Sequence, residues 1–419
     1  MSARVAPPST GRAEPGEGEE RATTVEIMDS AELRELFSAE GLALLDSLPR
    51  YESSSDVVRS VADLRRAGHS PALVAAVLTQ SRLRSRAATK LGPFAERMLF
   101  TEAGLEQATR LTVAAQHADR FRRAGITRVV DLGCGIGADA LALAALDIDV
   151  VAVERDEVTA AIAAYNLAPW SNVRVEHADA ESFELSGFGG VYLDPARRES
   201  KRKLWNPADW SPTLNFAFDV ASRHPTGIKL SPAVDRSLIP ADAEAQWVSH
   251  AGDVVELGLW FGALARDGVR RSALVLTAQG SAELTAAADS LDEPTGALGD
   301  FLYEPNGAVI RARLIGDLAR RLNARMLDSS IAYLTADVPI STPFASCFRI
   351  IERMPLSTKT IARALKARGV GTLEIKKRGV DIDPAEFRAS LALRGAASAT
   401  LVLTRIAGKR AALIAERVN

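Results

Sequence analysis

The chain has 419 residues, 47% hydrophobic and 25% charged, with a formal charge of −2, enough for two or three domains of ordinary globular make-up. Its longest nearly apolar stretch, Val254 to Ala265, carries Glu256 and is too short to span a bilayer, and the N-terminus lacks the apolar core of a secretory signal. Two cysteines, Cys134 and Cys347, make no disulfide framework, and five scattered histidines have no metal-ligand spacing, so we expect a cytoplasmic protein with no membrane span and no metal.

Residues 1–24 are rich in Pro, Gly, Glu and Ser/Thr without periodicity and read as a disordered tail. Residues 25–125 read as an N-terminal helical region of four or five amphipathic helices. Asp29-Ser30 precede the first, Ser70-Pro71 pair an N-cap with proline at the first helical position, and Gly104 to Arg123 reads as the last, with Gly125 near its C-cap. Arg82, Arg84, Arg86 and Lys90 form a basic cluster, either solvated or facing nucleic acid.

Residues 126–340 carry the α/β signature of a Rossmann-like sheet plus a connector. Val129-Val130-Asp131-Leu132-Gly133-Cys134-Gly135-Ile136-Gly137 reads as a buried strand and a glycine turn opening a helix. Val150 to Glu154 reads as a second strand ending in a carboxylate placed to accept from a ribose diol. Two ligands suit this plan. Gly133-x-Gly135-x-x-Ala138 satisfies the relaxed dinucleotide fingerprint, whereas Asp131-x-Gly133-x-Gly135-x-Gly137 resembles motif I of class I S-adenosylmethionine (SAM) methyltransferases. Asp131 tips the balance towards SAM, because an acid there repels a pyrophosphate but can receive an amino group. The next strand ends in Ala178-Asp179-Ala180, similar to the motif that holds adenine through an acid and a neighbouring amide; helix capping by Asp179 is the alternative.

A fourth strand ends in Asp194-Pro195-Ala196-Arg197, which resembles the Asp/Asn-Pro-Pro-aromatic motif of amino methyltransferases. An exocyclic amine has its lone pair delocalised into the ring. The Asp194 carboxylate and the Pro195 carbonyl are placed to accept its hydrogens and favour a pyramidal, attacking nitrogen. The aromatic of that motif is replaced by Arg197; its guanidinium, or the ring of Trp205 or Trp210, could stack on a base. Arg197, Arg198, Lys201, Arg202 and Lys203, followed by Trp205, suit a phosphate-bearing substrate or a solvated loop. Strands near Val129, Val150, Val173, Val191 and Ile228 alternate with helices, the pattern of a parallel sheet. Lys229, after the fifth, could line the substrate mouth. Val254–Leu259 and Ser272–Thr277 read as an antiparallel edge hairpin, and 281 to about 340 as helix and loop.

Residues 341–419 read as a small α+β domain: strand, helix, strand, helix, strand, strand. They hold 15 Lys/Arg against 6 Asp/Glu, a charge of +9, leaving −11 elsewhere. Basic turns, among them Lys376-Lys377-Arg378, make an anion-binding face or a solvated surface.

Taken together, the segment from Phe100 to Thr109, the Asp131–Gly137 turn, Asp194–Arg197 and the Glu374–Gly379 stretch resemble a group of bacterial class I SAM-dependent methyltransferases whose tail is called THUMP-like. The resemblance implies a class I methyltransferase sheet, SAM as cofactor, and Thr101 and Gln107 in a segment closing over its methionine end. It also implies an RNA partner, because THUMP domains accompany RNA-modifying enzymes. The expected activity is N-methylation of a base in tRNA or rRNA. A small-molecule methyltransferase and a noncatalytic RNA-binding protein that keeps SAM are the alternatives.

Overall fold

A computed structural model describes residues 34–48, 54–195, 198–199, 202–203 and 209–418, with the side chains of 54–59, 198–199 and 202–203 left aside. The expected tail 1–24 and the Asp29-Ser30 cap lie outside the described residues.

The first helices are Ala39–Ser47, Ser54–Arg66 and Pro71–Leu91. Ser70 caps the third, its Oγ accepting from the Leu73 amide at 3.1 Å with Pro71 following. The single helix expected from Gly104 to Arg123 is two, Glu102–Gln107 and Leu111–Arg123. They part at Ala108, whose backbone is extended, because Lys90 Nζ captures the carbonyls of Leu105, Glu106 and Ala108 at 2.8, 2.6 and 3.2 Å. Of the other cations of the basic cluster, Arg82 and Arg86 are exposed and pair with Glu102, while the largely buried Arg84 pairs with Asp46 and donates to the Met98 carbonyl.

Strands β1 (Arg128–Leu132), β2 (Asp149–Glu154), β3 (Val173–His177) and β4 (Gly190–Leu193) alternate with helices Ala138–Ala144 and Glu157–Leu167. The basic loop contains two two-residue strands, β5 (Arg198–Glu199) and β6 (Arg202–Lys203), paired antiparallel. Helix Leu214–Ala221 leads to β7 (Thr226–Leu230), β8 (Glu244–His250), β9 (Asp253–Phe261), β10 (Arg271–Thr277) and β11 (Gly280–Ala286). The nine-stranded sheet runs β11-β10-β8-β9-β7-β4-β1-β2-β3. Its β3-β2-β1-β4-β7 half is parallel throughout, and β2, β1, β4 and β7 are buried on both faces, which accounts for their near-continuous apolar runs.

The expected edge hairpin of β9 and β10 does not form. β8 lies between them, antiparallel to β9 and parallel to β10, and β10 turns instead into β11. The region expected as helix and loop holds helices Gly307–Arg311 and Ile315–Arg321 but also β12 (Phe301–Pro305), β13 (Arg325–Asp328) and β14 (Ile331–Ala336). These join β15 (Ala345–Pro355), β16 (Val370–Lys377), β17 (Ala397–Ile406) and β18 (Lys409–Val418) in a second sheet, β13-β14-β12-β15-β18-β17-β16. The second sheet therefore begins at Phe301, ahead of the boundary expected at 341. Helices Thr358–Ala367 and Pro384–Leu391 cover one of its faces through Ile361, Leu365 and Leu391. Tyr303, Ala308, Leu318, Leu334 and Phe344 share one core with β4, β7 and β8 residues. Among the described residues no helix is long and apolar enough to cross a membrane.

Candidate active site

Strand order reverses between β1 and β4, whose carboxyl ends Leu132 and Leu193 are in register. A ligand crevice opens at such a switch point. The chain turns away from β1 through Gly133, Gly135 and Gly137, whose φ angles are +82°, +55° and +89°, a region that L side chains enter only under strain. Gly133 lies against the start of the fourth-strand motif: a Cβ there would be 3.5 Å from the Asp194 carbonyl oxygen.

The outer wall of the crevice is residues 98–109, clamped by buried amides. Asn166 accepts from the Leu99 amide at 2.7 Å and donates to the carbonyls of Leu99 and Ile136, both at 3.0 Å, stitching this wall to the glycine turn. Gln80 exchanges two hydrogen bonds with the Phe100 backbone, at 2.7 and 3.0 Å. Together with the Lys90 clamp, these bonds hold Thr101 and Gln107 opposite the glycines. Thr101 Oγ1 caps its own helix, accepting from Gly104 at 2.9 Å.

Two cavities result. The first, about 250 Å³, is lined by Thr101, Gln107, Gly133, Gly135, Glu154 and Ala180, with Cys134, Asp139, Asp194, Ser211 and Pro212. The Glu154 carboxylate accepts from the amides of Gly135 at 3.1 Å and Asp156 at 2.9 Å, which fixes its rotamer and leaves lone pairs for further donors. The expected adenine residue Asp179 is exposed; its carboxylate caps the short helix at Ala180–Ser182 through Glu181 at 2.8 Å. Ala178 and Ala180, not Asp179, line the cavity. Asp131 is 1% exposed behind the turn, and its Oδ2 has no hydrogen-bond partner. Burial, then the nearby Asp139 and Asp194, push its carboxyl well above the usual range. A lone buried carboxyl oxygen of this kind is a place for an incoming ammonium.

The second cavity, about 360 Å³, shares Gln107, Ala108, Thr109 and Asp194 with the first and adds Lys90, Arg110, Pro195, Lys229 and Glu256. Lys229 Nζ lies 2.5 Å from Asp194 Oδ2 and 3.0 Å from Thr109 Oγ1. Burial alone would lower the Lys229 pKa, but Asp194 and Asp139 outweigh it and hold the ammonium charged. Burial pushes the Asp194 carboxyl up and Lys229 opposes it. Thr109 in turn donates to Asp139 Oδ2 at 2.6 Å. Sequence reasoning passed over Thr109, Asp139, His117 and Glu256. One signal was available, the lone carboxylate inside the apolar run that became β9.

The other expected substrate residues are dispersed. Arg197, Lys201 and Trp205 lie outside the described residues. Arg198, Arg202 and Lys203 fall in the β5–β6 ribbon. Trp210 is 6% exposed in the core and presents no ring for stacking. Lys376 is paired with Glu304 at 2.7 Å and sits over the Phe348 ring; Arg378 lies 3.9 Å from Glu304 and over Tyr333. Lys377 is exposed.

Residues 345–417 match the family described as THUMP domain-like, and residues 29–87 match a domain of unknown function, DUF8688. Over 335 residues the chain is 33% identical to an uncharacterized S-adenosylmethionine-dependent methyltransferase of Mycobacterium tuberculosis, in strains CDC 1551 and H37Rv alike. That similarity covers 77% of this chain and 90% of the relative. The fold is also similar to a crystal structure of a candidate methyltransferase from Porphyromonas gingivalis W83, with a TM-score of 0.68 and 21% identity over 88% of this chain and 100% of the other. The chain belongs to the S-adenosylmethionine-dependent methyltransferases, and its methyl donor is S-adenosylmethionine.

Proposed function

We propose that the protein methylates a nitrogen of a base in structured RNA, tRNA or rRNA, with SAM in the first cavity and the base in the second. The observation that carries this reading is the junction itself: Asp194, the first residue of the amino-methyltransferase-like motif, lines both cavities, and Pro195 beside it lines the second. With SAM in the first cavity, Asp131, buried behind the glycine turn, has an unpartnered oxygen to attract the methionine ammonium. Glu154 takes the ribose hydroxyls, Thr101 and Gln107 close over the methionine end, and the amide of Ala180 faces adenine. SAM bound there supplies an electrophilic methyl on a sulfonium. Asp194, with Oδ2 held by Lys229, directs its other oxygen and the Pro195 carbonyl to the hydrogens of the target amine, orienting its lone pair for in-line attack. A base in a helix must leave its stack to reach this point.

RNA is favoured by where the free cations lie. In the helix Thr358–Ala367, Ile361 and Leu365 are buried, while Lys359, Arg363 and Lys366 recur every three or four residues on the exposed side. They form a basic face on the THUMP-like part of the chain, suited to phosphates, and Lys377 on β16 is exposed as well. Lys376 and Arg378 are instead engaged within the protein: both face Glu304, Lys376 at 2.7 Å and Arg378 at 3.9 Å.

The test is radiolabelled SAM with total RNA from cells lacking the protein, run beside Asp194→Ala. The reading predicts label in one RNA species, lost in the variant. Label entering small molecules, or equal label with the variant, contradicts it.

A further inference from the structure

His117, 3% exposed, stands between the two cavities. Its Nδ1 lies 2.8 Å from Asp139 Oδ1 and its Nε2 2.6 Å from Glu256 Oε1; the Tyr192 hydroxyl oxygen is 2.9 Å from Nδ1. Asp139 is on the wall of the first cavity and Glu256 on the wall of the second. Burial would lower the imidazole pKa, but Glu256 and Asp139 outweigh it and raise it to about 10. The ring is therefore an imidazolium at neutral pH and donates from both nitrogens. Its Nε2–H fixes the direction of Glu256, which is only 5% exposed yet lines the second cavity. A carboxylate held in place on a cavity wall is suited to accept a proton. Lys229 Nζ holds Asp194 Oδ2 at 2.5 Å much as His117 holds Glu256, but Glu256 lines the second cavity alone, whereas Asp194 lines both.

We propose that Glu256 is the group that accepts the proton released by the methylated substrate, with His117 as the positioning residue that holds it. When the target nitrogen bonds to the methyl group, the donor's sulfur–methyl bond would break with its electron pair left on sulfur, and the nitrogen would carry the positive charge. Its N–H bond then breaks, the electron pair stays on nitrogen, and the proton bonds to a Glu256 oxygen, giving the neutral acid. The second cavity returns that proton to water as product leaves. Asp194 and the Pro195 carbonyl orient the amine, and Glu256 takes its proton. The proposal rests on the reading that the acceptor atom is nitrogen.

The experiment compares wild type with Glu256→Gln, Glu256→Asp and His117→Gln in three measurements. These are calorimetric SAM affinity, single-turnover methyl transfer, and ¹⁵N shifts of His117 in protein without SAM. Two acceptor pools are used, total RNA and the small-molecule extract of cells lacking the protein. Glu256→Gln is expected to slow transfer about 100-fold or more, as for loss of a general base. SAM affinity should stay within about threefold of wild type, which separates chemistry from binding. Glu256→Asp should recover part of the rate, His117→Gln should lower rate and not SAM affinity, and wild-type His117 should be doubly protonated at pH 8. Transfer by Glu256→Gln within about threefold of wild type, or a neutral His117 at pH 8, overturns the proposal. Label entering only the small-molecule pool overturns the RNA reading and leaves the Glu256 comparison to be read there. Label in neither pool overturns both.

Discussion

Replacing Gly135 or Gly137 by alanine separates what the glycine turn does for the fold from what it does for SAM. Both have positive φ, so each alanine takes on a left-handed penalty of about 1–2 kcal/mol. At Gly137 the new Cβ would also lie 2.9 Å from Leu167 Cδ1 and 3.0 Å from its Cγ. Leu167 is 2% exposed and packed in the core beneath the turn, so it can move only by disturbing neighbours. Overpacking of this kind adds about 1–3 kcal/mol, giving a total near 3 kcal/mol for Gly137→Ala. At Gly135 a Cβ meets nothing within 4 Å, so the stability loss should stay near the lower end of the left-handed penalty, about 1 kcal/mol. That Cβ stands on the wall of the first cavity, however, where a cofactor must approach the backbone. The two variants should therefore rank oppositely in denaturant unfolding and in calorimetric SAM titration. Gly137→Ala should lose more stability, and Gly135→Ala more SAM affinity per kcal/mol of stability lost. Equal stability losses, or wild-type SAM affinity in Gly135→Ala, would refute the reasoning.

Three further outcomes follow from the same geometry. Asp131 is raised well above the ordinary carboxyl pKa in the absence of ligand. Arrival of an ammonium beside it should release a proton, so SAM should bind more tightly as pH rises. Its binding enthalpy should depend on the buffer's ionisation enthalpy, and Asp131→Asn should abolish that dependence; a buffer-independent enthalpy in wild type contradicts it. His117, raised from its unfolded value of 6.5 to about 10, contributes stability that is complete below pH 6.5 and is lost as pH rises through about 10. The stability gap between wild type and His117→Gln should accordingly shrink from pH 6.5 to pH 10 in denaturant titrations, and a gap that widens sinks the assignment of the imidazolium. Converting Lys359, Arg363 and Lys366 to glutamine should weaken RNA binding and flatten its dependence on log salt concentration by about 2, at roughly 0.7–0.9 for each phosphate no longer neutralised. SAM affinity should be unchanged, and an unaltered salt slope would remove this face from the RNA interface.

Much of the nucleotide-binding half was legible from the chain because each signal is local. A strand of Val and Leu, three glycines needed for a left-handed turn, and a carboxylate at each strand end can be read within a few residues of one another. The cap at Ser70-Pro71 is legible for the same reason. What was missed depends on partners far apart in sequence. The order of β8, β9 and β10 depends on which strand each meets across the sheet, and alternation within one strand carries no such information. The Lys90 clamp splits the helix before Leu111 from a position 15 or more residues upstream. Nothing local in the sequence marks His117, and only the folded sheet brings Glu256 and Asp139 to its two nitrogens. The early start of the second sheet was hidden because β12, β13 and β14 are short and two helices separate β12 from the other two. Trp210 and Lys376 show the converse limit. Each has the right side chain for nucleic acid, but one is enclosed by the core and the other is held by Glu304.

SAM binding in the cavity between residues 98–109 and the glycine turn underlies every role assigned to Asp131, Glu154 and Asp194. Hydrogen exchange with and without SAM tests this most directly. The amides of Thr101–Thr109, Gly133–Asp139 and Glu154–Asp156 should gain protection, while β15–β18 stay unchanged. Protection confined to the second sheet, or none in the glycine turn at saturating SAM, would contradict it.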